Sequence, residues 1–113
     1  MEVRAVAKNI HRSPQKVRLV ADVVRGRSVN EALAILQFMP QGAARDVYKV
    51  IKSAAANAEN NFELDVNDLI VHRLYVDEGS TLKRGRPGPH GRWKPALRRW
   101  SHITAVVQER GAI

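Results

Sequence analysis

The feature that most constrains this chain is a stretch of about two dozen residues that separates two strand patterns, at residues 69–76 and 103–107. Its residues 81–100 carry seven Lys and Arg side chains and no Asp or Glu, and glycine and proline are concentrated at residues 85–95. A structureless loop of this length is rare in a compact domain. We therefore predict an extended antiparallel hairpin that turns at residues 87–91.

A hairpin of this length extends beyond the core of the domain. At about 3.3 Å per residue, residues 79–87 alone reach roughly 26 Å, which is about the size of the whole domain. An isolated ribbon with no apolar face to bury is at best marginally stable in water, and uncompensated cations repel one another. We expect residues 81–100 to be mobile in the free protein and ordered against a phosphate-rich partner. The alternative, a solvated and disordered basic segment, is disfavoured by the strand patterns on both sides.

Aromatic rings interleave with these cations at Trp93, Trp100 and His90. Arginine binds phosphate in a bidentate fashion and stacks on bases. Because unpaired bases offer faces for stacking, aromatic interleaving favours RNA. Either tryptophan could instead pack on the core, and this alternative stays open for each of them.

The charge of the whole chain supports an anionic partner. The formal net charge is +8, the isoelectric point is near 10.6, and the net charge is +5 over residues 1–30, −4 over 31–80 and +7 over 81–113. Two basic ends around a mildly acidic middle favour binding to a polyanion. The 44% hydrophobic content argues against wholesale disorder, and the lack of cysteine excludes disulfides and Cys-ligated zinc. The sequence also predicts no signal peptide, no membrane span and a cytoplasmic location.

The first of three predicted helices begins at Ser13, which proline follows, and ends at Gly26. Serine caps free N–H groups, proline suits the first helical turn, and glycine favours the conformation that ends a helix. On one face of this helix, Asp22 can pair with both Arg18 and Arg25.

The second predicted helix begins at a capping box formed by Ser28 and Glu31, and Pro40 ends it. The third and longest covers residues 41–60 approximately. Its small side chains at residues 53–58 allow a neighbouring sheet to approach closely, although they could equally reflect only the high helix propensity of alanine.

A short strand at residues 3–8 completes the prediction. The fold class is α+β, with three helices packed on a small antiparallel sheet and a long protruding β-hairpin. Residues 1–113 form a single domain, whose globular body spans 1–78 and 101–113 and whose extended basic hairpin spans 79–100.

Two other classes of function find little support in the residues. The first two helices resemble the helix-turn-helix of a DNA-binding regulator, but only Arg27 and Asn30 could read bases, and the second helix is largely apolar. An enzyme needs a nucleophile or a proton-transfer group with a partner at hand, and none is evident. The four histidines stand apart, with no spacing that suits a metal. We therefore predict no enzymatic activity, no metal and no cofactor.

Several segments resemble, in order and at the right spacing, the signatures of the bacterial large-subunit ribosomal protein L-twenty-two family, also called universal large-subunit protein twenty-two. The resemblance covers nearly the whole chain. The segments are 13–22, SPQKVRLVAD, followed by Arg25 and Gly26; 52–61, KSAAANAENN; and 76–79, 82–84, 91–92 and 101–104 of the hairpin and its base.

This resemblance implies a structural constituent of the large ribosomal subunit that binds several domains of the large ribosomal RNA and assists its assembly. It implies a hairpin that lines the nascent-peptide exit tunnel beside ribosomal protein L-four and meets the nascent peptide in passing. It implies no enzymatic activity, and we expect neither a membrane partner nor a homo-oligomer.

The resemblance also assigns roles to residues, although the tip sequence at Gly88 to His90 departs from the arginine-alanine type usual in the family. Trp93 and Trp100 likewise stand where small or hydroxyl residues are common. The predicted RNA contacts near the body are Arg12, Ser13, Gln15, Lys16, Arg18, Arg25 and Arg27. Those along the hairpin are Lys83, Arg84, Arg86, Arg92, Lys94, Arg98 and Arg99, and the predicted tunnel tip is Pro87, Gly88, Pro89, His90 and Gly91.

Overall fold

The computed structural model describes residues 2–87 and 93–109. A three-stranded antiparallel sheet in the order β1-β3-β2 is covered on one face by three helices, which confirms the predicted α+β class. The long axis of the molecule, 62 Å, is more than twice the other two, 25 and 21 Å. The elements are β1 (Glu2–Ile10), α1 (Pro14–Val24), α2 (Val29–Gln37), α3 (Gly42–Phe62), a short 3-10 turn (Val66–Asp68), β2 (Leu69–Pro87) and β3 (Trp93–Glu109).

Most of the predicted start and stop signals act where the sequence places them, but the Ser13 cap does not: Ser13 stands at the N-cap of α1, and its side chain makes no capping hydrogen bond. Pro14 opens α1, and the Ser28 hydroxyl accepts a hydrogen bond of 3.2 Å from the N–H of Glu31 at the start of α2. Gly26 has a positive φ of 84°, which glycine adopts without a steric penalty. Helix α3 continues past the predicted end to Phe62, because the chain first turns into the left-handed region at the following residue, whose φ is 56°.

The core lies between the helices and one face of the sheet. Helix α3 packs against β1 and β3, and α1 packs against β2. The small residues Ala54 and Ala58 of α3 are fully buried beside larger side chains such as Ile51, Leu74 and Ile103. The buried alanines of this run therefore lie on the side of α3 that packs on the sheet.

A bulge in β2 explains an irregular sequence pattern. The register shifts by one residue between Val71 and Arg73, so two residues of β2 oppose one of β3. As a result Val71 and Leu74, three positions apart, both face the core. Strict strand alternation would have placed one of them on the opposite face.

The sheet narrows from three strands to two at Ser101. This residue pairs with Ile10 on β1 and with Glu78 on β2. Beyond it, β2 and β3 continue as a two-stranded ribbon from the pair Thr81 and Arg99 to the pair Pro87 and Trp93. The predicted hairpin path through β2 and β3 is thus present, whereas the turn beyond Pro87 lies outside the described residues.

Candidate nucleic-acid interface

Helix α1 presents the predicted RNA contacts because its apolar side is fixed by the core. Val17, Val20, Ala21 and Val24 are buried, at the spacing of one helical face. The remaining faces carry the polar residues outward. Of the predicted contacts near the body, Ser13 is half-buried and the others are exposed: Arg12, Gln15, Lys16, Arg18, Arg25 and Arg27. We call these seven residues the helix surface.

Two arginines of the helix surface also hold α1 against the free edge of β2. Arg18 donates from Nε and Nη2 to the carbonyl oxygen of Val76, at 3.2 and 2.9 Å, and Arg25 donates from Nη2 to that of Leu74, at 2.8 Å. Asp22 pairs with Arg25 as predicted, whereas Arg18, its other predicted partner, reaches the strand instead. A guanidinium group has five N–H donors, so both arginines keep donors for an anion.

The same edge of β2 is closed further along by the joint between α1 and α2. The N–H of Gly26 donates to the carbonyl of Val71, and the N–H of Val71 donates to the carbonyl of Arg27, at 2.9 and 2.8 Å. An open strand edge is a template for unwanted pairing. On β2 this edge is occupied by the backbone of the joint between α1 and α2 and by the guanidinium groups of Arg18 and Arg25.

Arg12 stands between two clefts at the start of α3. It forms an ion pair with Asp46. Its guanidinium group also lies so close to Gly42 that a Cβ added to that glycine would be 2.8 Å from the Nη1 atom of Arg12. One cleft, of about 530 Å³, is lined in part by Arg45 and Tyr48, and the other, of about 360 Å³, by Lys16 and a set of apolar side chains. Three cations therefore surround these two openings.

Both candidate base-reading residues of the helix-turn-helix alternative make contacts within the protein. Arg27 pairs with Glu31 at 2.7 Å and donates to the carbonyl of Val23, and Asn30 donates to the side-chain oxygen of Asn67 at 2.8 Å. The side chain of Asn30 is thus engaged within the protein, and Arg27, which keeps N–H donors for an anion, lies before α2 rather than on it. A recognition helix needs polar side chains that are free to reach base edges, so α2 does not suit that role.

The two-stranded ribbon carries six of the seven predicted hairpin cations in known register. We call residues 79–100 the arm. In the backbone register, Arg86 is the partner of Lys94. Arg92 and the tip residues Gly88 to Gly91 lie outside the described residues. The other cations pair as Thr81 with Arg99, Leu82 with Arg98, Lys83 with Leu97 and Arg84 with Ala96.

An aromatic contact and a buried hydroxyl mark the base of the arm. The ring of His11 stacks on Trp100, which is half-buried, so one of the two tryptophans packs on the body. The hydroxyl of Ser101 is fully buried and has no hydrogen-bond partner within the described residues. Its burial keeps it from acting as a nucleophile toward a substrate in solution.

The sequence-based predictions did not include the side of the sheet that faces away from the helices. Arg4, Arg73 and Tyr75 are exposed there. The signal available in the sequence was the alternation within residues 3–8 and 73–77, which places these side chains opposite the buried ones.

No group of His, Asp or Glu side chains in residues 2–87 and 93–109 is arranged to hold a metal ion. Over the same residues, the helices are too short or too polar to span a bilayer.

Comparison with known proteins identifies the family. The family model described as ribosomal protein L22p/L17e matches residues 5–108. The chain is 54% identical over 110 residues to the large ribosomal subunit protein uL22 of Clostridium novyi (strain NT), which covers 97% of this chain and 99% of that protein. The sequence signatures indicated the same family and the same location in the large ribosomal subunit. The chain therefore belongs to the ribosomal protein L22p/L17e family and is a structural constituent of the large ribosomal subunit of the bacterial type.

Proposed function

We propose that this protein binds large-subunit ribosomal RNA through two separate basic surfaces, the helix surface and the arm. The observation that carries the proposal is the composition of the arm, which continues as two strands past the end of β1 and holds cations with no acid among residues 81–100. Such a ribbon has little to stabilise it by itself. Phosphate groups on both sides of it supply the missing counter-charge.

The helix surface binds a second segment of RNA near the body. Arg12 lines both clefts and Lys16 lines the smaller one, where an anionic backbone can approach them. Arg18 and Arg25 have a double role, because each holds α1 to β2 with some of its N–H donors and offers the rest to phosphate. Contacts from one rigid body and one long arm bring distant parts of the RNA together, which is how the protein assists assembly.

The arm lines the nascent-peptide exit tunnel, beside ribosomal protein L-four, and meets the nascent peptide in passing. Two strands are about 5 Å apart, so the ribbon is slender enough to enter a narrow passage. Pro87 and residues 88–91 form the tunnel tip in this proposal. This part of the proposal is supported by the family membership and by the 54% identity, over nearly the full length, to the uL22 protein of Clostridium novyi.

In this role the protein acts by binding alone. It has no catalytic residue, cofactor or metal of its own, and it works as one copy rather than as a homo-oligomer. The globular body, residues 1–78 and 101–113, folds as one unit, and the arm is its appendage.

The salt dependence of binding to large-subunit RNA tests the proposal. Each phosphate contact adds about 0.7 to 0.9 to the slope of log affinity against log salt concentration. The double variant Lys83→Gln with Arg84→Gln should lower that slope by about 1.5. The matched control, Lys49→Gln with Lys52→Gln, removes two cations from α3, outside both surfaces, and should leave the slope nearly unchanged.

Two results would contradict the proposal. An affinity for the RNA that hardly changes with salt would mean that phosphate contacts do not carry the binding. Equal slopes for the two double variants would mean that only total charge matters and that the arm is no site.

A further inference from the structure

The side of the sheet that faces away from the helices is open, and its side chains fall into ordered rows. The helices cover the face that contains Val3, Ala5, Leu74, Ile103 and Ala105, all of them buried. Because side chains alternate along a strand, the intervening residues lie on the opposite face. We call this the open sheet face, and its central residues are Arg4, Val6, Arg73, Tyr75, Thr104 and Val106.

The strand register places an arginine on each side of a valine. Val106 on the central strand pairs with Arg4 on β1 and with Arg73 on β2. Val106 is only 7% exposed although no helix covers this face, whereas both arginines are exposed. Long basic side chains can lie along an apolar surface with their charge in water. The two arginines thus flank a central apolar strip.

The next row presents an aromatic ring. Thr104 pairs with Val6 on one side and with Tyr75 on the other. Tyr75 is 45% exposed and Val6 is 49% exposed. Arg73 donates from Nη1 to the hydroxyl oxygen of Tyr75 at 3.3 Å, so the cation lies beside the outer end of the ring.

Acidic side chains lie at the two ends of this face rather than in its central rows. At one end the carboxylate of Glu2 lies 3.3 Å from Nε2 of His72, and at the other Asp77 pairs in register with His102. The middle of the face therefore combines two guanidinium groups, an exposed phenol ring and an exposed valine.

We propose that the open sheet face binds a stretch of unpaired ribosomal RNA, with one base stacked on Tyr75 and the flanking phosphates held by Arg4 and Arg73. This inference rests on the proposed function and adds a third RNA surface to it. Sheets that expose aromatic rings bind unpaired bases by stacking, and arginine beside the ring adds phosphate contacts. A protein partner would have to bury both guanidinium groups, which is costly without matched acids.

Photochemical cross-linking of the full-length protein to large-subunit RNA tests this site directly. Trypsin cleaves after Arg73 and Lys83, which releases residues 74–83 with Tyr75 as their only aromatic residue. We expect an RNA adduct on Tyr75 itself, located by fragmentation of that peptide, because residues 79–83 of the same peptide belong to the arm. In parallel, Tyr75→Ser should weaken RNA affinity about tenfold, while Tyr75→Phe, which keeps the ring, should retain most of it.

A matched control is available on the same body. Phe38 is 84% exposed at the end of α2, and Phe38→Ser removes an exposed ring outside the open sheet face. Its affinity should equal that of the parent protein. Arg4→Gln and Arg73→Gln should each lower the salt slope by about 0.7, the value for one phosphate of a single strand. Because cross-linking uses the unmodified protein, the test holds even if a variant folds poorly.

The outcomes separate the two proposals. If the parent protein binds RNA with steep salt dependence but Tyr75 carries no adduct and Tyr75→Ser binds normally, the open sheet face is not an RNA site and the proposed function stands. If Tyr75 cross-links to a protein in purified large subunits, the face is a protein-docking surface and the inference is wrong. If the parent protein itself shows no salt-dependent binding, both proposals fail.

Discussion

The imidazole of His11 stacks on the indole of Trp100, with ring centroids 4.5 Å apart and ring planes 23° apart. His11 directly follows β1. Trp100 lies on β3 next to Ser101, whose partner Ile10 is the last residue of β1. The register of β2 is irregular at the same level, between Glu78 and Thr81. The ring contact therefore joins the body to the base of the arm at the point where the sheet loses one strand.

Removing this contact should loosen the base of the arm. For Trp100→Ala we expect a loss of about 1–2 kcal/mol of unfolding free energy, because a half-buried indole and an aromatic pair are both lost. Amide exchange of residues 99–103 should also become faster. Urea denaturation and hydrogen exchange measure the two effects. Trp100→Phe keeps a stacking ring and should recover most of the loss, and unchanged exchange in Trp100→Ala would show that the stack does not hold the arm.

Arg18 and Lys16 separate structural from RNA-binding roles on one helix. Arg18→Lys keeps the charge but cannot reproduce the two hydrogen bonds from the guanidinium group to Val76, so unfolding free energy should fall by about 1 kcal/mol. Its salt slope for RNA should change little. Lys16 has no hydrogen bond or ion pair in the described part of the chain. Changing it should therefore alter the salt slope for RNA and leave the stability unchanged.

For Lys16→Gln we expect unchanged stability and a salt slope lower by about 0.7 to 0.9. Thermal unfolding and RNA binding at several salt concentrations give both readouts for both variants. If Arg18→Lys were as stable as the parent protein, the hydrogen bonds from α1 to β2 would not contribute to the fold.

Local signals in the sequence predicted the elements well, because caps, glycine and proline act within a few residues. The Ser28 cap before α2 and the positive-φ turn at Gly26 after α1 are of this kind. The hydrogen bonds of Arg18 to β2 join residues 58 positions apart. They depend on α1 lying along the free edge of the sheet, which no local pattern encodes, so the structural role of this arginine could not be predicted.

The open sheet face was missed for a related reason. The alternation at residues 3–8 was visible, but the bulge between Val71 and Arg73 reverses the alternation in β2. Only the register places Arg73 beside Val106 and in the same row as Arg4. The basic hairpin, in contrast, could be predicted because charge, length and strand patterns all lie in one continuous segment.

The arm should exchange its amide hydrogens quickly in the free protein and slowly on RNA. Residues 81–87 and 93–99 are paired only with one another, because β1 ends at Ile10. A two-stranded ribbon opens at low free-energy cost. Hydrogen exchange with and without large-subunit RNA measures the difference, and β3 residues 103–107 in the three-stranded part serve as the internal control. Strong protection of the arm without RNA would mean that the body supports it unaided.

Deleting residues 87–91 should leave the body folded, because every residue of the described core lies on the helices, on the 69–76 part of β2, or on β1 and the 103–107 part of β3. We expect the unfolding free energy to change by less than about 0.5 kcal/mol, the range typical of changes outside a core. The matched control is Ile51→Ala, which empties a fully buried position on α3 and should cost about 2–5 kcal/mol. Thermal and urea unfolding compare the two proteins directly. A deletion that destabilised the protein as much as Ile51→Ala would show that the arm is part of the folding unit, and the description of a stable body with an appended arm would have to be abandoned.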